Sequence, residues 1–186
     1  MADILLGFVI PLAAIALAEL GDKTQLCILF LSSKTKRHSH LLAGVMLAFL
    51  IVDGTAILLG SWITSVVPAV YLKAASGALF IAFGALMFFG KGICNPEKMK
   101  SQNPFIAGFM MIFISEWGDK TQIASGLLAT QYDGLAVLAG TMAALFALSV
   151  MAIYAGKLII KKIHPNTVSK VAGAAFVIIG LSFFFI

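Results

Sequence analysis

Of the 186 residues, 61% are hydrophobic and only 11% charged, and the mean hydropathy is +1.04. So little polar surface excludes a water-soluble globule and predicts an all-α integral membrane protein. The net charge of +5 does not point to nucleic acid, because the basic residues collect beside the apolar segments in an ordered way.

Six apolar segments follow one another: Ile4 to Leu31, Leu41 to Val67, Val70 to Phe89, Phe105 to Leu128, Leu135 to Ile160 and Val168 to Ile186. Each is near the roughly 20 residues that a membrane-spanning helix needs, so six transmembrane helices are expected. The first is too long for a signal-peptide core and nothing basic precedes it, the one charge there being Asp3; it reads as a retained helix, with no transit peptide. Pro11 within it reads as an ordinary kink. This segment carries Glu19-Leu20-Gly21-Asp22-Lys23-Thr24-Gln25, and Lys34, Lys36 and Arg37 follow its end. The second holds an isolated acid, Asp53, and Pro68 divides it from the third.

A linker over residues 92–103 contains Cys94, Asn95, Pro96, Glu97 and Lys98. Pro104 suits the first turn of the fourth segment, as Pro165 suits that of the sixth. The fourth segment carries Glu116-Trp117-Gly118-Asp119-Lys120-Thr121-Gln122, and Tyr132-Asp133-Gly134 turns it into the fifth. Cys27, within a helix, and Cys94, in a loop, imply no disulfide framework.

The two heptapeptides lie 97 residues apart and differ only at their second position. Matches continue beyond them at a spacing of 96: Gly44 with Gly140, Gly60 with Gly156, Gly77 with Gly173, Phe80 with Phe176, and Gly84 with Gly180. The chain therefore reads as a duplicated three-helix unit, residues 1–91 and 104–186, joined by a cytoplasmic linker at 92–103. Three helices is an odd number, so the second unit enters the membrane from the opposite side and the repeats are inverted, a recurrent transporter plan. Lys34, Lys36, Arg37, Lys91, Lys98, Lys100, Lys157, Lys161, Lys162 and Lys170, ten of the 13 basic residues, fall on one side. By the positive-inside rule that side is cytoplasmic and both termini face out.

Ionisable residues at membrane depth cost roughly 2.5 to 3.5 kcal/mol each on insertion scales, which makes the repeated acids functional candidates. Residues three or four apart share a helix face, so Glu19 and Asp22 project together with Gln25 one turn on, and Glu116, Asp119 and Gln122 repeat the pattern. Inverted symmetry predicts that the two sets meet at the midplane. They present carboxylate and amide oxygens, with Thr24 and Thr121 as hydroxyl neighbours, while His38, His40 and His164 all lie at the basic face. An all-oxygen donor set suits Ca²⁺, Mg²⁺ or Mn²⁺ over Zn²⁺ or Cu⁺. Gly21 and Gly118 are positioned to loosen the helix and free carbonyls as further ligands.

Asp53 matches Ser149 in the second unit, which breaks the symmetry and makes this pair candidate metal or proton-coupling neighbours. Lys23 and Lys120 stand four residues from Glu19 and Glu116, within ion-pairing reach, and read as charge partners rather than ligands. Five acids and two lysines leave a formal −3 in the membrane, more than a low dielectric tolerates. A divalent ion supplies two charges and protons the rest. Metal and protons thus compete for one set of oxygens, the thermodynamic basis of exchange.

The twin Glu-x-Gly-Asp-Lys-Thr motifs, in the first and fourth of six apolar segments, resemble those of the Golgi-type Ca²⁺/Mn²⁺:H⁺ exchangers and their bacterial and chloroplast relatives. The resemblance covers essentially the whole chain. It implies a secondary transporter that exports Mn²⁺ or Ca²⁺ from the cytosol against protons, needs no prosthetic group, and binds metal through Glu19, Asp22, Glu116 and Asp119, with Gln25, Gln122, Thr24 and Thr121 around them. The short linker implies a prokaryotic plasma-membrane member. Three other readings compete. A divalent-cation channel with acidic filter rings is one. An intramembrane hydrolase using paired carboxylates lacks an evident nucleophile and a membrane arginine, Arg37 being the only arginine. An exporter of small organic solutes is disfavoured by the many acids.

Overall fold

The computed structural model describes residues 2–20, 22–87, 103–155 and 165–184. Among them every regular element is helical: α1 (Ala2–Glu19), α2 (Lys23–Lys34), α3 (His38–Ile63), α4 (Ala69–Met87), α5 (Pro104–Glu116), α6 (Lys120–Leu128), α7 (Gly134–Val150) running on into a π-helical turn (Met151–Ala155), and α8 (Pro165–Ser182). Gly21, nearly all of the 92–103 linker with Cys94, the basic residues Lys91, Lys98, Lys100, Lys157, Lys161 and Lys162, and both Gly156 and His164 lie outside the described residues, as does the side chain of Lys23.

Among the described residues, three stretches are long and apolar enough to cross a membrane alone: α3, residues Ala69–Leu86 of α4, and Gly134–Tyr154. The α1–α2 pair qualifies as a fourth, bent by 72° at its junction. The Pro104–Glu116 and Lys170–Ser182 helices are apolar but shorter. Against the six expected segments, two of the differences have a local cause, while the described part of the sixth segment is simply short. The first and fourth are each interrupted at the charged heptapeptide, so each contributes two helices instead of one.

Helix starts follow the local sequence. Asn103 accepts a hydrogen bond from the Phe105 N–H at 3.0 Å, with Pro104 in the first turn where its missing N–H costs nothing. Asp133 caps α7 by accepting from the Ala136 N–H at 2.9 Å. Cys27 is disulfide-bonded, contrary to the expectation of two isolated cysteines.

The helices pack crosswise: α3 on α5, α1 on α7, and α4 on α8. Glycine allows each approach. A methyl group on Gly44 would strike the Phe105 carbonyl, and one on Gly140 would strike the Phe8 carbonyl. These contacts are counterparts, since Gly44 matches Gly140 and Phe8 lies 97 residues before Phe105. In the third pair, a methyl on Gly77 would lie 2.9 Å from the Gly180 carbonyl and one on Gly180 would lie 2.8 Å from that of Gly77. Phe80 meets its own counterpart Phe176, ring centroids 5.0 Å apart.

Leu58, Trp62, Val70, Tyr71, Leu135 and Ile178 are exposed. In lipid an apolar outer surface is no penalty, and packing rather than water exclusion holds the helices together.

Candidate metal centre

Both heptapeptides fall at helix breaks. α1 ends at Glu19 and α2 begins at Lys23; α5 ends at Glu116 and α6 begins at Lys120. The breaks are built alike, with the Asp22 N–H on the Glu19 carbonyl and the Asp119 N–H on the Glu116 carbonyl, both at 3.1 Å. At the second break Gly118 has φ +81°, a conformation that only glycine adopts without strain. Its N–H donates to Gln122 Oε1 at 2.6 Å. The loosening expected at Gly118 is thus a full interruption, of the kind that half-helix transporters use for ion sites.

Asp119 sits at the N-cap of α6 with extended backbone, yet its side chain makes no capping bond. Its carboxylate turns instead toward the other motif. Ligand oxygens of Glu19, Asp22 and Asp119 lie within 4.8 Å of one another, uniting the two copies. Glu19 is 2% exposed. Glu19 Oε1 and Asp119 Oδ2 are both buried with no hydrogen-bond partner. Buried carboxylate oxygens left without donors are costly unless a cation serves them.

Glu116, the counterpart of Glu19, is placed differently. It is fully buried and held by hydroxyls: Thr24, from the other motif, donates to Oε1, Ser115 donates to the same oxygen at 3.4 Å, and Thr121 donates to Oε2 at 3.4 Å. It does not join the three-acid cluster. Ser115 was not singled out in the sequence; its position next to Glu116 was the available signal.

Lys120 also departs from the spacing argument. Its ammonium pairs with Asp22 across the repeats, not with Glu116 in its own motif. This is the one ion pair among the described residues. The i,i+4 rule assumes a continuous helix, and the break at Gly118 removes that premise.

Gln122 is engaged at both ends, its Oε1 by Gly118 and its Nε2 donating to the Val52 carbonyl at 2.9 Å. Gln25 and Thr24 are buried in the first turn of α2. Asp53, on α3, accepts from Ser125 Oγ at 2.9 Å, whereas Ser149 is buried on α7. Ser125, one turn beyond Gln122 on the face that meets α3, is a second polar partner that the sequence reading passed over.

An all-helical apolar protein with acids from two broken helices converging in its interior is a multi-pass membrane protein built for cation transport. The chain belongs to the divalent cation/proton antiporter GDT1 family, which it matches over residues 7–92 and 104–185. It is 32% identical over 175 residues to a Vibrio cholerae protein named "Putative manganese exporter", covering 93% of this chain and 88% of the relative. It is 29% identical over 194 residues to a GDT1-like protein of Synechocystis sp., covering 92% and 93%. A GDT1-like protein of Oryza sativa subsp. indica is 22% identical over 201 residues, 94% of this chain and 72% of the relative. No solved structure matches. The family is one of transporters, and the protein is not an enzyme; the hydrolase reading is thereby set aside.

Proposed function

We propose that this protein is a secondary transporter that exports Mn²⁺ from the cytosol in exchange for protons, with Ca²⁺ as the alternative cargo. Glu19, Asp22 and Asp119 are its ligands in the arrangement described here, and the rest of the two motifs lines the path. The observation that carries this reading is the meeting of three carboxylates from both heptapeptides within 4.8 Å, two of their oxygens buried without a donor. Oxygen donors of this kind match hard divalent ions. The manganese exporter named among the relatives favours Mn²⁺.

The same reading makes residues 1–91 and 104–186 two inverted three-helix repeats with six membrane passages, of which the first and fourth are broken spans. The reciprocal glycine contacts and the Phe80–Phe176 pair support that arrangement. Alternating access is then a rocking of one repeat against the other about the shared acids. The basic residues between the apolar segments support an orientation with both termini outside the cytoplasm, in a prokaryotic plasma membrane. When the metal leaves, three crowded carboxylates beside Lys120 retain net negative charge, and protons are the cations that replace it. Asp53, held by Ser125 in only one half, is a proton-coupling neighbour without an acidic counterpart.

Proteoliposomes holding a pH dye test this directly. Imposed Mn²⁺ gradients are expected to drive opposite proton movement, and an imposed pH gradient is expected to drive Mn²⁺ uphill. Mn²⁺ flux that moves no protons and ignores the pH gradient contradicts exchange and favours a channel.

A further inference from the structure

Lys120 is the one cation the described residues place against the acidic cluster, and it arrives from the opposite repeat. Its side chain and that of Asp22 are 22% and 17% exposed, so the pair is shielded from water but not sealed in. The formal charge of Glu19, Asp22 and Asp119 is −3, and with Lys120 it falls to −2, which one divalent ion neutralises. The ammonium hydrogen-bonds to Asp22, an acid that also offers an oxygen to the cluster.

We propose that Lys120 is a tethered counter-cation that competes with the transported metal for Asp22, keeping the site weak enough to release its cargo. This rests on the reading of Glu19, Asp22 and Asp119 as ligands. Two consequences follow from the geometry. A metal drawn onto Asp22 weakens the Lys120 tie between the repeats, so cargo binding loosens a contact that relative motion of the repeats must break. On release, Lys120 returns to Asp22 and offsets part of the carboxylate repulsion, which would otherwise hold the ion. A lysine suits this exchange role, since it is a compact charge on a flexible stem whose contacts break singly. Sites that conduct or transport must bind firmly enough to capture and weakly enough to let go.

The test is Mn²⁺ binding to purified protein, followed by electron paramagnetic resonance, alongside transport rates in proteoliposomes. Lys120→Met is expected to bind Mn²⁺ ~10-fold more tightly and to transport more slowly at saturation, a gain in affinity with a loss of turnover. Lys120→Arg is expected to stay near wild-type affinity. Because the lysine acts through Asp22, Lys120→Met is expected to change affinity little in an Asp22→Asn background, a non-additivity that a merely structural residue does not produce. Unchanged or weaker binding by a folded Lys120→Met protein, with Asp22→Asn still weakening it, overturns this inference alone. If Asp22→Asn leaves Mn²⁺ affinity unaltered, the ligand assignment itself is wrong.

Discussion

The two copies of the heptapeptide are nearly identical in sequence and unlike in surroundings. In the first, Glu19 has a buried, donorless oxygen and its carboxylate clusters with Asp22 and Asp119. In the second, Glu116 is wrapped by Thr24, Ser115 and Thr121 and stands outside that cluster. Under the proposed alternating access, these unequal settings are one state of the transporter, with one half arranged toward the ion while the other is held in reserve. The hydroxyl from Thr24 matters here because it comes from the opposite motif, so the capture of Glu116 belongs to the contact between the repeats.

Removing the two glutamates in turn puts this comparison under the greatest strain. Glu19→Gln is expected to lower Mn²⁺ affinity by on the order of 100-fold, and Glu116→Gln by about 10-fold, the range for a supporting residue. Calorimetric titration of the purified variants reads both; equal losses would place the two acids on the same footing.

A second contrast concerns packing, where the halves are alike. Gly44→Ala and Gly140→Ala each drive a methyl into a facing helix carbonyl, so each is expected to destabilise by about 1–3 kcal/mol. Thermal melts in detergent should show similar drops for both. A large drop for one alone would break the reciprocity of the α3–α5 and α1–α7 contacts.

The smallest effect separates the two threonines. Thr24→Val removes the cross-repeat donor to Glu116 and is expected to slow transport about 10-fold. Thr121→Val, whose bond to Glu116 is 3.4 Å long, is expected to fall within about threefold of wild type. If the order reverses, the cross-repeat bond is not what holds Glu116.

Much of this was legible from residue order. The helical class, the duplicated acids, the proline helix starts and the matched glycines all follow from composition, periodicity and spacing, and the bounds of α3 and α4 lie close to the apolar segments. The pairings within the site were not legible. Spacing along a helix predicted that Lys120 meets Glu116 and that Glu116 and Asp119 act together, but the left-handed Gly118 ends that helix. Past the break, Lys120 meets Asp22 and Asp119 joins Glu19. Glycine between two acids advertises such a break without stating where the next helix points. The asymmetry of Asp53 against Ser149 was visible, whereas its partner Ser125 depended on how α6 lies against α3.

Anomalous diffraction from crystals grown with Mn²⁺ tests the central claim most directly. The expected result is a single intramembrane peak within about 2.0 to 2.6 Å of oxygens from Glu19, Asp22 and Asp119, with Lys120 drawn away from Asp22. A peak bound to Glu116 in this same conformation, or none between the two heptapeptides, would contradict it.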